Sequence, residues 1–99
     1  MSDNEYRKLS EVEIKNELGK LEGWNVVSGK LSRTLHFENF IQAFSFMTKV
    51  ALEAEKMNHH PTWTNTYNRV TFELSTHDAG DIVTEKDRKL AEEIDKLAE

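Results

Sequence analysis

The chain has 99 residues, a net charge of −5, 37% hydrophobic residues and 31% charged residues, a composition typical of a single globular domain covering residues 1–99. No apolar stretch approaches the roughly 20 residues of a membrane span. The acidic N-terminus resembles neither a secretory signal nor a transit peptide. An acidic chain without a basic run is also a poor candidate for direct nucleic-acid binding. The absence of cysteine excludes disulfides and thiolate metal sites and fits a reducing compartment, so we expect a cytoplasmic protein.

The first predicted element is a helix over residues 11–20. Ser10 and Glu13 have the spacing of a capping box, in which each side chain bonds the backbone N–H of the other residue. Apolar residues then recur at helical spacing, at Ile14, Leu18 and Leu21.

A β-hairpin is predicted next, because apolar and polar residues begin to alternate. Its strands cover residues 24–27 and 31–37 and are joined by a Ser-Gly turn. Arg33 interrupts the apolar face of the second strand, and we interpret it as an edge or rim residue. His36 lies on the same strand without a partner nearby in the sequence, and we interpret it as a surface residue.

The strongest helical pattern covers residues 40–56 and begins with a second capping box at Asn39. The helix must end before His59 and His60, because Pro61 disfavours helical geometry at the residue that precedes it. Its apolar stripe is interpreted as facing the core and comprises Phe40, Phe44, Met47, Ala51 and Ala54.

A second hairpin is predicted from strands over residues 63–67 and 70–76, and a closing helix over residues 85–98 begins with a third capping box at Thr84 and Asp87. The elements follow in the order α-β-β-α-β-β-α. Because the strands alternate, one face of a four-stranded antiparallel sheet is apolar and takes three helices, which predicts an α+β two-layer sandwich.

The second hairpin brings three histidines together. It starts just after Pro61 and returns its far end to its beginning, which places His77 beside His59 and His60. Imidazole titrates near ~6.5 and is suited to general acid–base catalysis, although three imidazoles can also hold zinc. In a metal-free site, a flat polar ligand would be held by stacking and hydrogen bonds from Glu55, Trp63, Ser75 and Thr76.

The chain carries a longer set of residues at fixed spacings, namely Glu55, His59-His60-Pro61, Tyr67, His77 and Asp87. This set resembles the signature of the pterin-4a-carbinolamine dehydratases, a family also known as the dimerization cofactor of a homeodomain transcription factor. The resemblance covers almost the whole chain. It implies the α+β fold and dehydration of 4a-hydroxytetrahydropterin to quinonoid dihydropterin in tetrahydrobiopterin-type recycling. It also implies no metal or organic cofactor and a homodimer or homotetramer.

The resemblance maps the family's three catalytic residues onto His59, His60 and His77. The departing 4a-hydroxyl needs a proton and the ring N5 must lose one, so our hypothesis makes His60 and His77 the general acid and base. His59 would position the pterin or share the acid role. The family's pterin contacts map onto Glu55, Asn58, Trp63, Ser75 and Thr76, whereas Asp87 is expected to serve as the cap of the last helix.

Two further classes of function stay open at this point. One is a protein-binding or dimerization module, or an accessory factor in molybdopterin metabolism, because some relatives stabilise a transcription-factor dimer. The other is a metal-binding domain built on the three histidines.

Overall fold

Four strands and two α-helices make up the part of the chain that a computed structural model describes, residues 9–10, 12–13, 16 and 23–99. The elements in chain order are β1 (Asn25–Val27), β2 (Lys30–His36), α1 (Phe40–Met57), β3 (Thr62–Thr66), β4 (Arg69–Leu74), a short 3-10 helix (His77–Ala79) and α2 (Glu85–Ala98).

The predicted first helix, residues 11–20, lies for the most part outside the described residues. The described part therefore holds two α-helices rather than the expected three, and the order from β1 onwards gains a 3-10 helix that the sequence pattern did not indicate. The capping box predicted for the first helix is present. The backbone N–H of Ser10 donates to Glu13 Oε1 at 2.9 Å, and the N–H of Glu13 donates to Ser10 Oγ at 3.1 Å.

The four strands form one antiparallel sheet in the order β1-β2-β4-β3. The alternation in β4 decides which face is buried, because Val70, Phe72 and Leu74 are each no more than 1% exposed and lie on the same side of the strand. Phe72 pairs in register with Arg33 of β2 and with Trp63 of β3. These observations confirm the α+β class and the four-stranded antiparallel sheet.

The core lies between this sheet face and the two helices. On α2, Leu90, Ala91 and Ile94 are fully buried. On α1, the buried residues are Ala43, Phe46, Val50 and Ala54.

The predicted core stripe of α1 was wrong at three positions, because Phe40, Phe44 and Ala51 are all exposed. Phe40 is 45% exposed and Phe44 is 54% exposed, with their ring centroids 5.8 Å apart. The helix carries two apolar stripes, and helical spacing alone does not say which one faces the sheet. Phe46 does face it, with its ring centroid 6.1 Å from that of Phe72.

Arg33, interpreted from the sequence as an edge or rim residue, lies half-buried on the inner strand β2 and has a partner on α2. Its Nη1 lies 2.5 Å from Asp95 Oδ1 of α2, and the indole Nε1–H of Trp24 donates to the same oxygen at 2.8 Å. Gly23 leaves room for this pair, because a Cβ at that position would lie 2.9 Å from Arg33 Nε. His36, interpreted as a surface residue, is exposed.

In the described part of the chain, no helix has the length and apolar character needed to cross a membrane.

Candidate functional site

The end of α1 sets the position of the two adjacent histidines. Asn58 ends the helix in the left-handed conformation, with φ 52° and ψ 42°, which asparagine tolerates better than most residues. Its N–H bonds the carbonyl oxygens of Ala54 and Glu55, and the N–H of His59 also bonds Ala54 O at 3.0 Å. The chain therefore turns sharply away from the helix at the residue before His59.

Strand pairing brings the third histidine to the same place. β3 begins at Thr62 and pairs there with Glu73 near the end of β4, so the residues that follow β4 lie beside those that precede β3. A cavity of ≈ 230 Å³ opens between them. It is lined by Asn58, His59, His60, Ser75, Thr76, His77, Asp78 and Lys86.

His59 is the most enclosed of the three histidines. Its Nε2 lies 2.6 Å from Oδ1 of Asp87, and the two side chains are 9% and 0% exposed. The second oxygen of Asp87 accepts from Thr76 Oγ1 at 2.8 Å and from the backbone N–H of Thr84 at 2.8 Å. The capping box predicted at Thr84 and Asp87 is thus confirmed, and its carboxylate also binds a residue of the cavity.

His60 and His77 pair with carboxylates in more open surroundings. His60 Nε2 lies 2.9 Å from Glu55 Oε1, and the two side chains are 59% and 80% exposed. His77 Nδ1 lies 3.4 Å from Asp81 Oδ1 across the 3-10 helix. Each pair leaves one ring nitrogen of its histidine available to a ligand in the cavity.

The loop after β4 has a backbone shape that brings Asp81 back to His77. Gly80 and Asp81 both have positive φ, 90° and 60°. The N–H of Asp81 bonds Thr76 O at 3.0 Å, and the N–H of Thr76 bonds Ile82 O at 2.8 Å. The second strand of the hairpin therefore ends at Leu74 rather than at residue 76 as predicted, and Thr76 forms an isolated bridge with Ile82.

Six of the eight side chains predicted for the site line the cavity, whereas Glu55 and Trp63 do not. Glu55 reaches the site through His60. Trp63 is half-buried and packs on the core, with its ring centroid 5.9 Å from that of Phe72. Tyr67 lies in the β3–β4 turn with 62% exposure.

Three charged residues at or beside the cavity were not predicted from the sequence, namely Asp78, Asp81 and Lys86. A signal for Asp81 existed, because Gly80 next to it marks a turn that can fold a carboxylate back onto the residue four positions earlier. The placement of Lys86 depends on how the first turn of α2 packs against the hairpin, which no local pattern reveals.

Within the described ranges, no group of three or more histidine, cysteine or acidic side chains is placed to hold a metal ion. The arrangement instead offers three imidazoles, each bonded to a carboxylate, around one cavity. Such a set can give a proton to one atom of a bound molecule and take a proton from another.

A family model described as Pterin 4 alpha carbinolamine dehydratase matches residues 7–97 of the chain. A protein from Solibacter usitatus, provisionally named a pterin-4-alpha-carbinolamine dehydratase, is 57% identical over 91 residues, which cover 92% of this chain and 95% of the relative. A protein from Christiangramia forsetii with the same provisional name is 49% identical over 92 residues, or 93% and 94% of the two chains.

Among solved structures, the crystal structure of a transcriptional coactivator/pterin dehydratase from Brucella melitensis superimposes with a TM-score of 0.88 at 42% identity. The match covers 94% of this chain and 100% of that one.

Proposed function

The chain belongs to the pterin 4 alpha carbinolamine dehydratase family, and we propose from this membership that it is a cytoplasmic enzyme that dehydrates 4a-hydroxytetrahydropterins. The product is the quinonoid dihydropterin, and the reaction serves tetrahydrobiopterin-type recycling. The elimination breaks the C4a–O bond, releases the hydroxyl as water after it gains a proton, and forms a C4a=N5 double bond as N5 loses its proton. The proposed reaction therefore needs one proton donor and one proton acceptor, and neither an oxidant nor a reductant.

The observation that best supports this proposal is the single cavity shared by His59, His60 and His77. A proton donor and a proton acceptor have to reach two neighbouring atoms of one ring system, C4a–OH and N5. Side chains from both ends of one hairpin that line one cavity meet this requirement.

We assign the acid and base roles to His60 and His77. Both are more accessible than His59 and both line the cavity, and proton exchange with solvent between turnovers requires such exposure. Glu55 bonds His60 and Asp81 faces His77, so each ring is oriented by a carboxylate. His59, whose Nε2 bonds Asp87, is proposed to position the pterin or to share the acid role.

The remaining contacts to the pterin are proposed on the basis of the resemblance. Asn58, Ser75 and Thr76 line the cavity and can supply hydrogen bonds to the edge of a flat heterocycle. Glu55 is proposed to contact the pterin from beside His60. Trp63 is proposed to contribute its ring edge from β3, and its packing on Phe72 keeps that ring fixed.

The chain is further proposed to form a homodimer or homotetramer. The outward stripe of α1 exposes Phe40, Ile41, Phe44 and Leu52 to between 45% and 75%. Large apolar side chains grouped on one helix face are typical of an interface between subunits.

The direct test is an assay of the purified protein on freshly generated 4a-hydroxytetrahydropterin, followed by the rise of the quinonoid product in the ultraviolet. We expect the protein to accelerate the dehydration above its spontaneous rate in proportion to enzyme concentration. A rate equal to the spontaneous one at all protein concentrations would refute the proposed function.

A further inference from the structure

Backbone hydrogen bonds of the loop after β4 hold Asp81 opposite His77. The N–H of Asp81 donates to Thr76 O at 3.0 Å, and the N–H of Gly80 donates to His77 O at 2.9 Å. Thr76 is itself anchored, because it is buried and its N–H donates to Ile82 O at 2.8 Å. The main chain therefore places the Asp81 carboxylate across the 3-10 helix from the His77 ring.

The contact between these two side chains determines which ring nitrogen of His77 keeps its hydrogen. His77 Nδ1 lies 3.4 Å from Asp81 Oδ1, a length common for catalytic contacts before a ligand binds. A carboxylate has only acceptor oxygens, so the hydrogen of this contact belongs to Nδ1. In the neutral imidazole the other nitrogen, Nε2, then has a lone pair, and in the protonated ring it carries the second hydrogen. The proton that His77 gains and loses is therefore the one on Nε2.

From this geometry we infer that Asp81 is a positioning residue for the proposed dehydration, on which this inference rests. Asp81 keeps the hydrogen on Nδ1 of His77 and leaves Nε2 as the atom that exchanges a proton with the bound pterin. His77 lines the cavity and Asp81 does not, so Asp81 acts on the pterin only through the imidazole ring. The His77 and Asp81 side chains are 90% and 58% exposed, and so exposed a pair contributes little to folding.

Asp81→Gly removes the carboxylate and keeps the shape of the loop. Asp81 has φ 60°, in the left-handed region that glycine adopts without steric cost. The hydrogen bonds that hold the loop come from the main chain and are retained. We expect a wild-type melting temperature and a wild-type KM, because Asp81 does not contact the pterin. We expect kcat to fall by about tenfold, which corresponds to the loss of one hydrogen bond to a charged group.

The position of the hydrogen is measured from the ¹⁵N chemical shifts of the His77 ring at a pH near ~8.5, well above the ~6.5 at which free imidazole titrates. The His77 signals are assigned by their loss in His77→Gln. We expect the Nδ1–H form in the wild type and the appearance of the Nε2–H form in Asp81→Gly. A wild type in the Nε2–H form overturns the inference even if the variant fails to fold. A folded Asp81→Gly with the wild-type pattern also overturns it.

Ser28→Gly is the matched control, because Ser28 is exposed in the turn between β1 and β2 and also has a positive φ, 51°. Ser28 does not line the cavity, so kcat and the His77 spectrum should be those of the wild type. An equal fall of kcat in both variants rejects the positioning role, and so does an Asp81→Gly that is as active as the wild type. A wild type with the Nδ1–H form but without dehydratase activity rejects the proposed function and leaves the orientation of His77 by Asp81 standing.

Discussion

Asp87 Oδ1 lies 2.6 Å from His59 Nε2 although the two residues are 28 positions apart in the sequence. The same side chain closes the capping box of α2. Removing it should therefore affect both folding and the site, and the two effects can be measured separately.

Asp87→Ala is expected to destabilise the fold by about 3 kcal/mol. The loss of an N-cap partner costs ~0.5–2 kcal/mol, and each buried donor left without an acceptor costs ~1–3 kcal/mol. Those donors are the Thr84 N–H and the Thr76 hydroxyl, and His59 also loses its ring partner. Urea unfolding measures the change, with Asp78→Ala, an exposed acidic residue of the same cavity, as control. Equal stability of the two variants would show that the network contributes nothing to folding.

Glu55→Gln should reduce kcat/KM by about tenfold with no loss of stability. The side chain is 80% exposed, so its free energy of unfolding should change by no more than ~0.5 kcal/mol. Its contact with His60 is the one through which we expect it to act. Glu53→Gln on the same helix is the control, because Glu53 pairs with Lys56 and does not line the cavity. A similar kinetic defect in both variants would argue against a specific role for Glu55.

Asp95→Ala should destabilise the fold by ~1–3 kcal/mol, because it leaves the half-buried Arg33 and the indole N–H of Trp24 without their acceptor. It should leave kcat and KM unchanged, since neither Arg33 nor Asp95 lines the cavity. Thermal and urea unfolding measure the first effect. Glu93→Ala, which removes an exposed ion pair with Lys96, should cost well under ~1 kcal/mol. An equal cost for the two variants would contradict the structural role of Asp95.

Phe44→Asp should shift the protein toward monomers, because a carboxylate on the exposed stripe of α1 would have to be buried in the proposed subunit interface. Light scattering coupled to size-exclusion chromatography measures the mass. Lys49→Asp also adds a carboxylate to an exposed position of α1 outside the stripe and should keep the wild-type mass. A wild-type mass for Phe44→Asp would place the interface elsewhere.

Local signals predicted much of the fold. The bounds of α2 match the prediction, and the capping boxes at Ser10 and Thr84 form. Asn39 caps α1 by accepting from the N–H of Gln42, but the Gln42 side chain accepts from Glu38 rather than from Asn39, so only half of that predicted box is present. These features depend on residues three or four positions apart. They are therefore present in the sequence itself and need no knowledge of tertiary packing.

Hairpin topology was the only feature of the sequence that predicted which residues of the site lie close together. That topology placed His77 near His59 and His60, and one cavity contains all three. The double role of Asp87 was not foreseen, because its Oδ1 meets His59 only once α2 packs against the end of α1. The prediction that the Phe40 and Phe44 stripe faces the core was wrong for a similar reason. The helix sequence alone does not show which of its two apolar faces packs against the sheet.

The measurement that tests the central proposal most directly is single-turnover dehydration of 4a-hydroxytetrahydropterin by the wild type and by a His60→Ala, His77→Ala double variant. The proposal predicts rapid formation of the quinonoid product by the wild type. For the double variant it predicts a rate lower by at least ~10²-fold, from loss of general acid–base catalysis. Wild-type rates in a correctly folded double variant would contradict the proposal.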